Sequence, residues 1–182
     1  MPSSLKDGHY HNVIVRNART GASLTGTGQS VICRVGMFPT QTPASFIDTL
    51  GTSWSVGNVF SSSKPGKVTH LRYYKAAEET GLHTLKLWTE SGTLLGSVEV
   101  NFGTGEGWVT GQLLPSLSIQ ANTHYVVTVT TSTKQSKTSC GLSPPITNGP
   151  LTALGGRWLE GNGIFPTTTS CSNFWTDVYF DQ

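Results

Sequence analysis

Hydrophobic and polar residues alternate with a period of two over long parts of the chain, and this is the pattern of strands that bury one face. In the segment 83–102, Leu85 and Leu87 alternate with Thr84 and Lys86 before a turn, after which the alternation resumes. This segment therefore predicts a β-hairpin. No segment keeps the 3.6-residue period of an amphipathic helix.

Turn-forming residues separate the alternating segments at short intervals, as at Lys64-Pro65-Gly66. Many short strands with regular turns are typical of two antiparallel sheets packed face to face. We therefore predict an all-β fold, an antiparallel two-sheet β-sandwich of jelly-roll type with an N-terminal extension. The predicted strands lie near residues 10–16, 30–35, 54–60, 67–75, 83–89, 93–102, 107–113, 124–131 and 173–180.

The last predicted strand combines an apolar face with an unusual polar face. At a period of two, Phe174 and Val178 point towards the core, whereas Trp175, Asp177 and Tyr179 point towards solvent. A carboxylate between two aromatic rings on an exposed strand indicates a binding surface. This segment favours a binding module over a catalytic one.

Composition narrows the class of protein. Of the 182 residues, 12% are charged, 20 are Ser and 26 are Thr, a balance that fits an extracellular or cell-surface all-β domain. We therefore expect a secreted or cell-surface protein, although the first residues lack the apolar region of a secretory signal. The net charge of +2 does not predict a nucleic-acid partner. No apolar run reaches the roughly 18 residues that cross a membrane, so we expect no membrane span.

The first residues differ in character from the rest. Residues 1–37 carry four Lys and Arg against one Asp and contain a Gly-, Thr- and Ser-rich turn at 20–28. We predict an N-terminal extension over residues 1–37, either a hairpin or an assembly arm, and a β-sandwich domain over residues 38–182. A homo-oligomer formed through residues 1–37 is the corresponding hypothesis about partners.

Short motifs after residue 38 occur in a specific order and spacing. They are Phe60–Lys75, Gly81–Trp88, Gly92–Leu95, Gly107–Trp108, Ala121–Tyr125, Asn148–Leu151, Phe165–Pro166 and Asn173–Phe180. Together they resemble a family of secreted, mostly bacterial β-sandwich domains known as domain of unknown function 4082. The resemblance extends over about residues 38–182. It implies a domain that accompanies large extracellular, often carbohydrate-active polypeptides, and hence a carbohydrate-binding or adhesive role.

Motifs of common catalytic sites are missing from the sequence, which has no Gly-x-Ser-x-Gly elbow and no His-Glu-x-x-His pair. A glycosidase needs two facing carboxylates, and Asp177 with Glu160 or Glu90 is the available pair. We predict a non-catalytic recognition module that binds a glycan or another cell-surface polymer. A structural or adhesive assembly subunit is the alternative, and a hydrolase is less favoured.

The end of the chain supplies the groups that a sugar requires. Indole rings stack on the apolar C–H faces of sugars, and amide, carboxylate and guanidinium groups bind the hydroxyls. A structural role for the same rings, covering the edge of the sandwich, stays open. The candidate ligand-binding residues are Trp158, Asn162, Asn173, Trp175, Asp177, Arg72 and Tyr74.

Three roles are open to Asp177, which can bridge strands, ligate calcium or accept hydrogen bonds from a sugar. Asp177 is thus a possible calcium ligand, and no cofactor is required. Cys140 and Cys171 flank the Pro- and Gly-rich segment 141–166. In an oxidising compartment we pair these two as a disulfide, with Cys33 as a buried thiol. Three free thiols in a reducing cell are the alternative.

Overall fold

The structure is a computed structural model that describes residues 10–13, 29–32 and 34–182. The predicted turn at 20–28 and the predicted buried thiol of Cys33 lie outside the described residues. Within them the regular secondary structure is entirely β, in agreement with the alternation of the sequence. The strands are β1 (Tyr10–Val13), β2 (Gln29–Ile32), β3 (Ser45–Asp48), β4 (Trp54–Ser62), β5 (Gly66–Lys75), β6 (Gly81–Thr89), β7 (Leu94–Phe102), β8 (Gly107–Ile119), β9 (Tyr125–Thr131), β10 (Lys134–Lys137), β11 (Ile146–Asn148), β12 (Leu151–Glu160), β13 (Thr168–Ser170) and β14 (Thr176–Asp181).

The strands form two main layers. One is a seven-stranded sheet in the order β11-β12-β4-β9-β6-β7, in which β13 also pairs with β12. The other is a three-stranded sheet in the order β14-β5-β8, and two-stranded ribbons form from β3 with β10 and from β1 with β2. The pairs in both sheets are antiparallel. The prediction of an all-β antiparallel sandwich is confirmed.

The core lies between the facing sides of the two layers. Val56, Leu85 and Val129 supply it from the seven-stranded sheet, and Leu71 and Val178 supply it from the three-stranded sheet; all are at most 1% exposed. Each such side chain contributes about 1.5–3 kcal/mol through burial. The predicted hairpin at 83–102 is present as β6 and β7, because a strand with one buried face has a strongly specified register.

Strand β12 is not among the predicted strands, because its glycines resemble those of a loop. This strand pairs with β4 over its whole length, with a bulge between Ala153 and Gly155. A Cβ on Gly156 would lie 2.3 Å from the Ser172 carbonyl oxygen and 2.8 Å from the Phe174 ring. Glycine is therefore required here, because the segment that follows β12 approaches the backbone closely. In the sequence alone, the same glycine resembles a turn residue.

Residues just before the predicted boundary at residue 38 pack against the sandwich. Val35 and Met37 are 2% and 0% exposed and belong to the hydrophobic core. Val35 forms an isolated antiparallel bridge with Phe180, whose N–H donates to the Val35 carbonyl over 2.9 Å. Residues 35–37 thus extend the edge of the three-stranded sheet. Further towards the N-terminus, β1 and β2 pair with each other, with Tyr10 opposite Ile32.

Candidate functional site

The structure buries Trp175, which the sequence analysis assigned to the solvent face. Its side chain is 4% exposed and lies between the rings of Phe38, at 5.2 Å, and Trp108, at 6.4 Å. Trp175 has a φ of 56°, in the left-handed region, and β14 begins only at the next residue. Its N–H donates to the Asn173 side-chain oxygen over 2.8 Å, as in an Asx-turn. This turn interrupts the alternation of the segment, so the predicted orientation is wrong.

Asp177 is also buried, with 0% of its side chain exposed. One carboxylate oxygen accepts the backbone N–H groups of Met37 and Val178, each over 2.7 Å. The other accepts the Phe38 N–H over 3.1 Å and two N–H groups of Arg72, one of them over 2.8 Å. The carboxylate therefore anchors the segment before β3 to the last strand. The prediction that it faces solvent is wrong, because distant residues cover this side of the strand.

Arg72 is held in place by the same cluster and is 4% exposed. Its guanidinium carbon lies 4.0 Å from the Trp108 ring centroid and 4.7 Å from that of Tyr179. One guanidinium nitrogen also donates to the Phe38 carbonyl over 2.8 Å. A cation between two aromatic faces and paired with a carboxylate is well stabilised. Both Arg72 and Asp177 thus have the contacts of an internal ion pair rather than of a ligand site.

The other predicted residues are distributed over the molecule. Asn173 is 1% exposed, and its side-chain oxygen accepts from Asn58 over 2.8 Å. Tyr74 is half-buried and donates its hydroxyl to Glu106 over 2.9 Å. Asn162 lies in the exposed loop between β12 and β13. The structure therefore does not bring the seven candidates together, and only Trp158 among them lines a described cavity.

Trp158 is 36% exposed and forms a cleft with Trp54. The two ring centroids are 5.6 Å apart and the ring planes are inclined at 46°. Trp158 lies opposite Val56 in the register of β12 and β4, so both indoles project from the inner face of the seven-stranded sheet. They mark the end of the sandwich at which the space between the layers opens to solvent.

The opposite wall of the cleft is the ribbon of β3 and β10. Gln135 and Lys137 of β10 line the cavity, whose volume is about 170 Å³, and Phe174 completes the lining. Ser136, between them, is 0% exposed and points to the other side of the ribbon, as alternation requires. We name this arrangement of Trp54, Gln135, Lys137, Trp158 and Phe174 the indole cleft.

Buried polar contacts hold the ribbon against the sandwich. The Ser136 N–H donates to the Tyr73 hydroxyl over 2.8 Å, and burial raises the pKa of Tyr73 above its usual range. The fully buried Glu79 carboxylate accepts the N–H groups of Ser132 and Thr133 over 2.7 and 2.8 Å, just before β10 begins. These bonds give the cleft a preformed wall, which lowers the ordering cost of binding.

A disulfide connects the two chain segments that contribute the ribbon and the inner end of the cleft. Cys140 and Cys171 are bonded, with their Cα atoms 4.3 Å apart. Next to it, Thr138 and Asn173 exchange two backbone hydrogen bonds of 2.9 and 3.0 Å. The disulfide therefore ties the end of β10 to the segment that carries Phe174.

Two polar groups of the indole cleft lack partners among the residues that the structure describes. The Gln135 side-chain oxygen is buried, and no residue that the structure describes donates a hydrogen bond to it. Within residues 34–182, no carboxylate lies at ion-pair distance from the Lys137 ammonium. Buried polar atoms are normally hydrogen-bonded, so this oxygen has an unused capacity to accept a hydrogen bond.

Sequence reasoning missed Gln135 and Lys137 as candidate residues and did not single out Trp54. The segment around β10 contains Lys, Gln, Ser and Thr without an apolar alternation, so it carries no strand signal. Trp54 at the start of β4 lies in a predicted strand, but its neighbour across the sheet, Trp158, lies in β12, which is not among the predicted strands. Their proximity depends on the pairing of β4 with β12.

A family model described as domain of unknown function (DUF4082) matches residues 40–176. The chain belongs to this family. The resemblance inferred from the sequence motifs is confirmed. The DUF4082 match contains all five residues of the indole cleft and ends one residue before Asp177, so the buried ion pair joins the matched region to its flanking segment.

Among solved structures, the chain is similar to one titled "Structure of a family 35 carbohydrate binding module from an environmental isolate". The sequence identity is 18%, the TM-score is 0.31, and the match covers 88% of this chain and 90% of the other. No curated protein matches the chain.

Metal ligation has little support at the predicted position. Among the described residues, no group of three or more His, Cys, Asp or Glu side chains is arranged to hold a metal ion. At Asp177, both oxygens accept N–H groups and the Arg72 guanidinium occupies the adjacent space, so a cation would meet a positive charge. No helix among the described residues is long and apolar enough to cross a membrane.

Proposed function

We propose that the protein is a non-catalytic recognition module that binds carbohydrate in the indole cleft. The observation that carries the proposal is the exposed Trp158 ring, which lines a cavity next to Trp54 and opposite Gln135 and Lys137, two polar residues whose end groups have no partner among the described residues. The proposal keeps the carbohydrate hypothesis of the sequence analysis and one of its residues. It moves the site from the last strand to the open end of the sandwich.

The chemistry of the cleft matches that of a sugar. A pyranose ring presents an apolar C–H face that fits against indole, and its hydroxyls act as both donors and acceptors. The Gln135 oxygen accepts a hydroxyl proton, and the Lys137 ammonium donates to a hydroxyl oxygen. A concave aromatic site with a few convergent polar groups is the usual form of a small-molecule site.

Two other cavities of the described residues provide less for this chemistry. One of about 460 Å³ is lined by residues around Gly66, Ile119 and Asp181, and the other of about 260 Å³ by residues around Glu90, His124 and Arg157. Neither has a Trp, Tyr or Phe ring in its described lining. The indole cleft is therefore the favoured site.

A secreted or cell-surface location belongs to the same proposal. The Cys140–Cys171 disulfide supports it, because disulfides persist in oxidising compartments. Glycan polymers occur in the same surroundings. Neither a metal nor a cofactor takes part in the proposed binding.

Replacement of Trp158 by alanine tests the proposal. We expect Trp158→Ala to weaken glycan binding at least tenfold, about 1.4 kcal/mol, since aromatic anchors dominate such sites. The measurement is retention in affinity electrophoresis through gels that contain soluble glucans, xylans or polygalacturonate. Isothermal titration with the polymer that retains the protein then gives the affinity.

Two controls accompany this measurement. Trp158→Phe keeps an aromatic face and should retain most of the binding. Leu114→Ala removes a side chain that is 82% exposed and lies outside the cleft, so its affinity should equal that of the unchanged protein. Unaltered retention of Trp158→Ala, with circular dichroism unchanged, contradicts the proposal, and so does a lack of retention of the unchanged protein in every gel.

A further inference from the structure

We infer that the indole cleft takes the terminal ring of a glycan chain, which enters end-on, rather than a ring from the middle of a chain. This inference rests on the proposed function and adds the class of ligand to it. Three observations carry it: the volume of the cleft, the decrease in exposure from its mouth to its inner end, and the unpartnered oxygen of Gln135.

The volume of the cleft limits the ligand to about one ring. Its volume of about 170 Å³ is well below the roughly 300–1,000 Å³ of pockets that enclose drug-sized molecules. A site for several consecutive sugar units needs a longer groove. Only one unit of a chain can therefore be enclosed here, with the rest of the chain outside.

The cleft is deeper at one end than at the other. Trp158, at its mouth, is 36% exposed, whereas Phe174 is 3% exposed and forms the inner end. Trp54 from the seven-stranded sheet and β10 from the ribbon form the two sides. A ring within a chain carries a glycosidic bond at each end, and so it requires two exits. A terminal ring requires one.

The Gln135 oxygen supplies the polar contact expected for a chain end. This atom is buried and lacks a donor among the described residues. A terminal ring has a free hydroxyl at the position that an internal ring uses for its glycosidic bond, and this hydroxyl can donate to the oxygen. In an internal ring the same position carries a glycosidic oxygen, which has no proton to donate, and a buried acceptor facing it would stay unsatisfied, which is unfavourable.

Competition at equal mass tests the inference. The probe is whichever of the soluble glucan, xylan or polygalacturonate retains the protein, before and after partial acid hydrolysis to a tenfold shorter average chain. Shortening multiplies the number of chain ends at constant mass, so we expect the hydrolysed material to compete about tenfold better by mass. Equal or weaker competition overturns the inference.

Variants of Gln135 provide the second arm. We expect Gln135→Leu, which removes the acceptor and keeps a similar side-chain size, to weaken binding about tenfold. Gln135→Glu keeps an acceptor and should bind within about threefold of the unchanged protein. If Gln135→Leu fails to fold, Gln135→Glu decides. A retained preference for chain ends in this variant supports the inference, and a lost preference overturns it.

The outcomes separate this inference from the proposed function. Binding that depends on Trp158 but is indifferent to chain ends and to Gln135→Leu leaves the carbohydrate proposal standing and rejects end-on recognition. Binding that is indifferent to Trp158 rejects the site itself. A lack of binding to all three polymers rejects the proposed function, and the inference with it.

Discussion

The buried pair of Arg72 and Asp177 allows a sharp prediction about stability. Asp177→Asn preserves the size of the side chain and replaces one carboxylate oxygen by an NH₂ group. If the NH₂ takes the position next to Arg72, it meets the N–H donors of Arg72 and Phe38. If it takes the other position, it meets those of Met37 and Val178. Either orientation therefore leaves at least two buried donors without an acceptor.

The magnitude follows from the burial of the pair. The Arg72 and Asp177 side chains are 5% and 0% exposed, and breaking a buried pair by neutralising one partner costs about 3–5 kcal/mol. For a domain of this size, 1 kcal/mol corresponds to about 2–4 °C in Tm. We therefore expect Asp177→Asn to lower Tm by about 6–20 °C, by analogy with measured buried pairs.

Thermal and urea unfolding, followed by tryptophan fluorescence, measure the change. The matched control is Asp48→Asn on β3, which makes the same chemical change at an exposed position. The control should alter the free energy of unfolding by less than about 0.5 kcal/mol. The explanation is refuted if Asp177→Asn changes stability by less than about 1 kcal/mol, or no more than Asp48→Asn does.

Two further predictions concern the disulfide and His70. The Cys140–Cys171 bond closes a loop with a sequence separation of 31, so replacing both by Ser should cost about 3–4 kcal/mol in the chain-entropy model. Dithiothreitol should lower the Tm of the unchanged protein to that of the double variant, and an equal Tm with and without reductant contradicts this. Burial, with a smaller effect of Arg34 against an opposing one of Asp181, lowers the pKa of His70 from its ordinary value of 6.5. Between the folded pKa of His70 and 6.5, the unfolded chain therefore binds more protons than the folded one, so the free energy of unfolding should decrease as pH falls from 6.5 through the folded pKa. In His70→Gln, urea unfolding should show a weaker dependence of this free energy on pH. An unchanged pH dependence refutes the role given to His70.

Local alternation predicted the strands that bury one regular face. The hairpin of β6 and β7 was found because Leu85 and Leu87 share a face, and a shift of one residue would expose both. The short polar strand β10 was missed because its position is set by contacts to Tyr73 and Glu79, and those contacts leave no pattern in its own residues. The indole cleft depends on this strand, so its polar residues could not be predicted.

The family resemblance and the all-β fold followed from the sequence alone, because both depend on short-range patterns: alternation, turn residues and motif spacing. The fate of the last strand depended on tertiary structure. Asp177 is covered by Met37 and Phe38, about 140 positions away along the chain, and Trp175 is turned inwards by a left-handed backbone. A period of two assigns each side chain to one side of a sheet, but whether that side meets solvent or another segment is decided only when the chain folds back on itself.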